Sequence, residues 1–213
     1  MATRRGGGEG DRASDIMDVA ERLVQSRGFN GFSYADVARE LGITKAALHY
    51  HFPGKAELGA ALISRYASRF DDALADIDAR AGDAPGKLEA YACLYLQVLT
   101  DDRMCLCGML AAELNSLSRP IRDGVVRFFD ANESWLAHVL DEGRRAGTLS
   151  FGGPPPQAAR MILSAFEGAM LVARTYGNPE RFQTAARQML ATFTANTTSA
   201  ARPTTRPRVR AST

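Results

Sequence analysis

Only three of the 213 residues are cysteine, three are histidine, three are lysine and one is tryptophan. Cys93, Cys105 and Cys107 are too few and too clustered to frame a fold with disulfides, which fits a reducing compartment. No stretch approaches the roughly 18 uninterrupted apolar residues of a membrane span, and Met1 to Arg12 is Gly-rich and charged rather than an apolar leader. The expectation is a soluble, cytoplasmic chain with no membrane partner. An excess of one charge is missing too: 26 Lys and Arg face 24 Asp and Glu, a net of +2, so bulk charge does not point to a polyanion. There is no phosphate-binding loop, since Gly54-Lys55 is followed by Ala56 rather than Ser or Thr. No Ser, His and acid cluster and no paired-His metal pattern is visible. Neither an enzyme, a cofactor nor a metal is expected.

Where the charge sits is more telling than its sum. Residues 196–213 hold Arg202, Arg206, Arg208 and Arg210 and no acid, and without these four the chain has 22 basic against 24 acidic groups. With Pro203, Pro207 and no apolar period, that stretch is expected to be a disordered Arg-rich tail, and residues 1–13 a disordered lead.

Between these ends apolar residues recur at spacings of three and four, and no alternating pattern persists, which predicts an all-α fold of about nine helices. The first runs from the Ser14 cap to Arg27, ahead of Gly28. The second starts at the Ser33 cap, with Asp36 completing a capping box, and stops at Gly42. Thr44 caps a short third helix, Lys45 to Tyr50, closed by Pro53 and Gly54. Longer helices are expected over about 55–80, 87–99, 105–117, 119–146, 157–176 and 179–194. Gly82, Pro85 and Gly86 are read as one break, and Gly152 through Pro156 as another. This divides the chain into 14–58, a small three-helix unit, and 59–195, a larger helical unit.

Three short helices, the last two joined by a tight turn, have the form of a helix-turn-helix whose final helix enters the major groove. That form needs a small residue at Ala38, where two helices cross, a turn at Gly42, and Ile43 and Leu48 as anchors. A plain helical bundle, or a regulator acting only through protein contacts, would satisfy the same apolar pattern without binding DNA.

The run from Phe32-Ser33-Tyr34-Ala35-Asp36-Val37-Ala38 through Leu48-His49-Tyr50-His51-Phe52-Pro53-Gly54-Lys55 to Leu58 resembles the DNA-binding signature of the TetR family of transcriptional repressors, over about Ser14 to Leu58. The resemblance implies a dimeric repressor of a palindromic operator on double-stranded DNA, released by a small effector. Ser33 and Thr44 suit phosphate with their hydroxyls, although capping alone accounts for both. Tyr50, His51 and Lys55 are the other backbone candidates, with Lys55 foremost. Base reading falls to Lys45, Ala46 and His49 on the outward face of the third helix. The family often has Gly or Ser near Ala46 and Tyr at His49, so base preference here is this chain's own.

The penultimate helix, about 157–176, is apolar nearly all round, and the last, 179–194, carries one stripe; the resemblance implies that both meet their copies in a homodimer. Tyr66, Phe70, Tyr95, Met109, Phe128, Trp135, Phe166 and Met170 suit an apolar or aromatic effector pocket, with Glu113 as a polar orienting group, although each aromatic is equally a core residue. Cys105-Leu106-Cys107-Gly108 opens a helix beside Arg103, where a helix N-terminus lowers a thiol pKa. A cysteine-based electrophile or redox sensor on the same fold is therefore the alternative reading, beside the inert buried thiol.

Overall fold

The computed structural model describes residues 9–194, and the Arg-rich tail and the first eight residues lie outside it. The described residues form nine α-helices: α1 (Glu9–Arg27), α2 (Tyr34–Leu41), α3 (Lys45–His51), α4 (Lys55–Arg80), α5 (Ala84–Thr100), α6 (Leu106–Ala112), α7 (Arg119–Ala146), α8 (Pro155–Thr175) and α9 (Pro179–Ala191). There is also a 3-10 turn at Leu114–Ser116, and among the described residues extended backbone pairs only at an isolated bridge between Leu149 and Thr194.

Helix ends follow cap chemistry, including where simple breaker rules fail. α1 begins at Glu9, five residues ahead of the Ser14 cap, so part of the expected disordered lead is helical. Asp83 caps α5 by accepting from the Gly86 N–H at 2.9 Å. Pro85 and Gly86 thus fall inside the first turn, where a missing N–H costs no helical bond. Pro155 and Pro156 open α8 for the same reason. α6 is shorter than its apolar pattern, because the chain turns at Glu113, whose carbonyl accepts from the Ser116 N–H and hydroxyl.

Packing divides the chain into a small unit, α1 to α3, and a bundle of α5 to α9, with α4 belonging to both. Ile16, Ala20, Leu23, Val37, Leu48 and Phe52 fill the small core. In the bundle, Tyr91, Tyr95, Phe166 and Phe182 pack ring against ring, with centroids 5.3–6.2 Å apart. The Tyr91 hydroxyl reaches Tyr95 and the buried Asn132, whose amide donates to the Phe128 carbonyl, so this aromatic core leaves its polar atoms satisfied.

Three polar ties fasten the small unit to the bundle. Arg65 of α4 pairs with Asp18 at 2.8 Å and Glu21 at 3.0 Å on α1, and Arg69 also bonds Glu21. Arg174 of α8 donates to the carbonyls of Gln25, at 3.1 Å, and Ser26, the orphan acceptors at the end of α1. Glu113 accepts from the Asn30 N–H at 2.9 Å.

Candidate nucleic-acid interface and effector cavity

The α2–α3 turn has the geometry that its sequence demands. Gly42 takes φ +64, the left-handed region that a side chain resists, and the Ile43 N–H closes on the Ala38 carbonyl at 3.0 Å. Leu48 is fully buried and pins α3, which leaves Thr44, Lys45, Ala46, Ala47, His49 and Tyr50 exposed. Ala47 was not among the sequence candidates; its N–H donates to Thr44 Oγ1 at 3.1 Å and its methyl shares the outer face.

Four candidates, Ser33, Lys45, His49 and Lys55, line one open groove of about 400 Å³ between the start of α2 and α3. Thr44, Ala46, Tyr50 and His51 lie outside its walls, with Tyr50 edge-on to His51 at a centroid distance of 5.3 Å. Ser33 has a partner of its own: Asp36 accepts from its N–H at 2.8 Å and its hydroxyl at 2.7 Å. Those two bonds hold the Asp36 carboxyl below the usual carboxylate range. The Thr44 hydroxyl, as a cap, spends a lone pair on the Ala47 N–H and not its own hydrogen.

Lys55 is not the freely solvated cation that its place in the sequence suggests. Its Nζ donates to the Phe32 carbonyl at 2.6 Å and lies over the Phe29 and Phe32 rings. Half-burial lowers its pKa, opposed by the charges of Glu113 and Asp36. Among the other cations of the small unit, Arg22 is paired with Glu40 and Arg39 with Asp36. Lys45 has no ion-pair partner among the described residues, so it and Lys55 carry the positive charge of this groove. His49 is held by its Nδ1, 2.9 Å from the Pro53 carbonyl, and by the Tyr34 ring at 4.8 Å. The Tyr34 hydroxyl donates to the Phe52 carbonyl, and burial, helped by Glu57, raises its pKa to about 12.

The aromatic effector candidates separate. Tyr66 and Phe70 line a cavity of about 340 Å³ whose other walls include Glu21 and Gln25 of α1, Arg69 and Ala73 of α4, Leu94, Gln97 and Val98 of α5, and Arg103. Tyr95, Phe128, Phe166 and Met170 are buried in the packed core. Trp135 stacks on Tyr91 and donates to Asp78 at 2.9 Å, while Met109 meets Arg174. Glu113, expected to orient a ligand, faces Asn30 and the small unit instead. Gln25 and Gln97 had no sequence signal, and Arg103 was read only as a neighbour of Cys105, because polar residues scattered over three segments form no pattern.

Behind Tyr66 lies a second feature. Its hydroxyl is 3.8 Å from Cys105 Sγ, and Cys105 and Cys107 are both buried. A hydrogen bond from Cys107, with others from the Gly108 N–H and Glu167, overcomes burial and lowers the Cys105 pKa to about 6. Burial pushes the Cys107 thiol and the Glu167 carboxyl up. Gly108 leaves the space that Glu167 Oε2 occupies, since a Cβ there would collide with it.

A capped helix-turn-helix with an exposed third helix, joined through a long α4 to a helical bundle, defines a DNA-binding transcriptional regulator. Comparison with known proteins narrows the class. Residues 16–62 match the model of the bacterial regulatory proteins, tetR family, and residues 84–189 match a tetracyclin repressor-like C-terminal domain. A TetR-family transcriptional regulator from Agrobacterium tumefaciens is 32% identical, with a TM-score of 0.85 over 88% of this chain and 100% of that one. The chain is similar to the HTH-type transcriptional repressor NemR of Escherichia coli, 25% identical over 78% of this chain and 85% of NemR. It is also similar to the HTH-type transcriptional regulator LmrA of Bacillus subtilis, 26% identical over 79% and 89%. The chain belongs to the TetR family of bacterial transcriptional regulators.

Proposed function

We propose that the protein works in the cytoplasm as a dimeric repressor, regulatory rather than enzymatic, which holds a palindromic operator with two copies of α3. Release follows when a small, largely apolar effector enters the cavity lined by Tyr66 and Phe70. The observation that carries this reading is the make-up of that cavity. Its walls come from α1, α4 and α5, so an occupant touches the DNA-binding unit and the bundle together. A ligand shifts an equilibrium only through its different affinity for the two arrangements, and a cavity shared by both units supplies that difference. Tyr66, Phe70, Ala73, Leu94 and Val98 suit an apolar body, while Glu21, Gln25, Arg69, Gln97, Asp101 and Arg103 suit polar groups carried on it.

The test is a footprint of the purified protein on DNA beside its own gene, followed by titration with apolar aromatic compounds. Two protected half-sites one helical turn apart, or a multiple of it, are expected, with release by the effector. Ala73→Trp fills the cavity, so it should bind the operator normally and fail to respond. Continued response of that variant would place the effector elsewhere. A lack of salt-dependent DNA binding would favour the helical interaction regulator that binds no DNA.

The low pKa of Cys105 favours a second reading, a covalent effector. A thiolate at Cys105 forms a carbon–sulfur bond with an α,β-unsaturated carbonyl, and the displaced electron pair takes the proton that burial keeps on Glu167. An acidic thiol is ionised above its pKa, so alkylation of Cys105 should rise through about pH 6 and level off by pH 8. Peptide mass spectrometry after timed alkylation reads this directly. A rate still climbing above pH 8 would mean an ordinary thiol, and Cys105→Ser should abolish release by electrophiles while sparing DNA binding.

A further inference from the structure

We infer that His49 tells amino-bearing from keto-bearing bases in the major groove, by accepting a hydrogen bond at Nε2. The inference rests on α3 being the recognition helix and adds the polarity of one of its contacts. A carbonyl oxygen only accepts, so the 2.9 Å contact with Pro53 places the proton of the neutral imidazole on Nδ1. Nε2 is then the lone-pair nitrogen. The Tyr34 ring, 4.8 Å away and itself tied to the Phe52 carbonyl, holds the imidazole in that orientation. Tyr34 is accordingly a positioning residue, and the exposed His49 ring presents an acceptor at the groove.

The amino groups of the major groove are N6 of adenine and N4 of cytosine, whereas guanine O6 and thymine O4 only accept. A keto group opposite Nε2 would set two lone pairs against each other. Each base pair has one amino and one keto member, so an acceptor reads which strand carries the amino base. It separates A·T from T·A and C·G from G·C, and leaves A and C nearly equivalent. Lys45 has the opposite polarity, since an ammonium only donates and suits guanine O6 and N7. Four residues along α3 amount to about 6 Å, roughly two base-pair steps, so the two contacts fall on neighbouring positions of one half-site.

The experiment selects sites for the full chain from a randomised duplex pool. One position per half-site should be confined to A or C on one strand, within about two base pairs of a guanine. His49→Ala should flatten that position alone. His49→Gln should narrow it to A, because a carboxamide pairs with both N6 and N7 of adenine. Replacing the selected base by its amino-free analogue, purine for adenine or 2-pyrimidinone for cytosine, should weaken the parent about tenfold and leave His49→Ala unaffected. Imidazole nitrogen-15 shifts of the free protein should show Nδ1 protonated. A flattened position that had preferred G or T overturns the inference, as do analogues that weaken both proteins equally, or a proton on Nε2. A pool with no enriched sequence overturns the recognition-helix reading itself, and this inference with it.

Discussion

The Lys55 ammonium lies 4.3 Å from the Phe32 ring centroid and 4.8 Å from that of Phe29, and it bonds the Phe32 carbonyl. One cation therefore ties the start of α4 to the turn before α2 and still has hydrogens to offer a phosphate. From Ser14 to Leu58 there are five basic residues against six acidic ones, and two of the five are spent on Glu40 and Asp36. Of the remaining three, Lys45 and Lys55 line the groove, so in the proposed complex affinity depends on where these two stand. Lys55→Ala is expected to lower unfolding stability by about 1–3 kcal/mol, from the lost hydrogen bond and ring contacts. It should also weaken specific and random DNA alike and reduce the salt slope by about one. Urea unfolding beside DNA titrations at two salt concentrations measures both effects. Unchanged stability with weakened binding would make Lys55 a phosphate contact only.

At the scale of elements, α4 matters most because both units pack on it. Gly59 of α4 is buried where the helix meets the α1–α2 turn and α7, and a Cβ there would come within 2.8 Å of the Phe29 ring and 2.5 Å of Ile121 Cδ1. Helix propensity alone would have Gly59→Ala stabilise the chain by about 1 kcal/mol. Overpacking wins instead, so the variant should lose about 1–3 kcal/mol and shift the small unit off α4, read as a lower melting temperature and weaker operator binding. A stabilised variant would mean that Phe29 moves freely. Helix bounds set by neighbouring residues were legible in the sequence: α7 runs from Arg119 to Ala146, the bounds expected, and Gly147 ends it in the left-handed region. The start of α5 was misread, since Pro85 and Gly86 act as breakers only beyond a first turn. The turn after α6 is braced through Asn30, 83 residues away, and no local pattern can carry such a contact. The site divides likewise. The DNA-binding candidates sit in one continuous run, while the cavity is assembled from segments far apart, and the aromatics expected to line it mostly fill the core.

On the scale of the whole molecule, the proposed operator complex joins two recognition helices, each with little net charge around it. α8 buries Ile162, Phe166 and Met170 within the chain, yet its far side exposes Met161 at 52%, Leu171 at 61% and Val172 at 52%, and Tyr176 just past its end is 64% exposed. Beside them runs a shallow groove of about 590 Å³, lined by Gly168, Ala169 and Val172 of α8 and by Asn178, Glu180, Arg181, Thr184 and Ala185. An exposed apolar face on α8, bordered by polar residues of α9, suits the proposed isologous interface, and two α3 helices carried on one dimer match a palindrome. Joining two weak half-site contacts makes the second binding event intramolecular, which raises affinity by about 100-fold or more with no new contact to DNA. Leu171→Glu combined with Val172→Glu should leave each chain folded, because both side chains are already exposed. Sedimentation should show a monomer, operator affinity should fall about 100-fold or more, and affinity for a single half-site should hardly change. A double variant that stays dimeric would move the interface off this face of α8, and one that unfolds would show that α8 is stabilised by its partner.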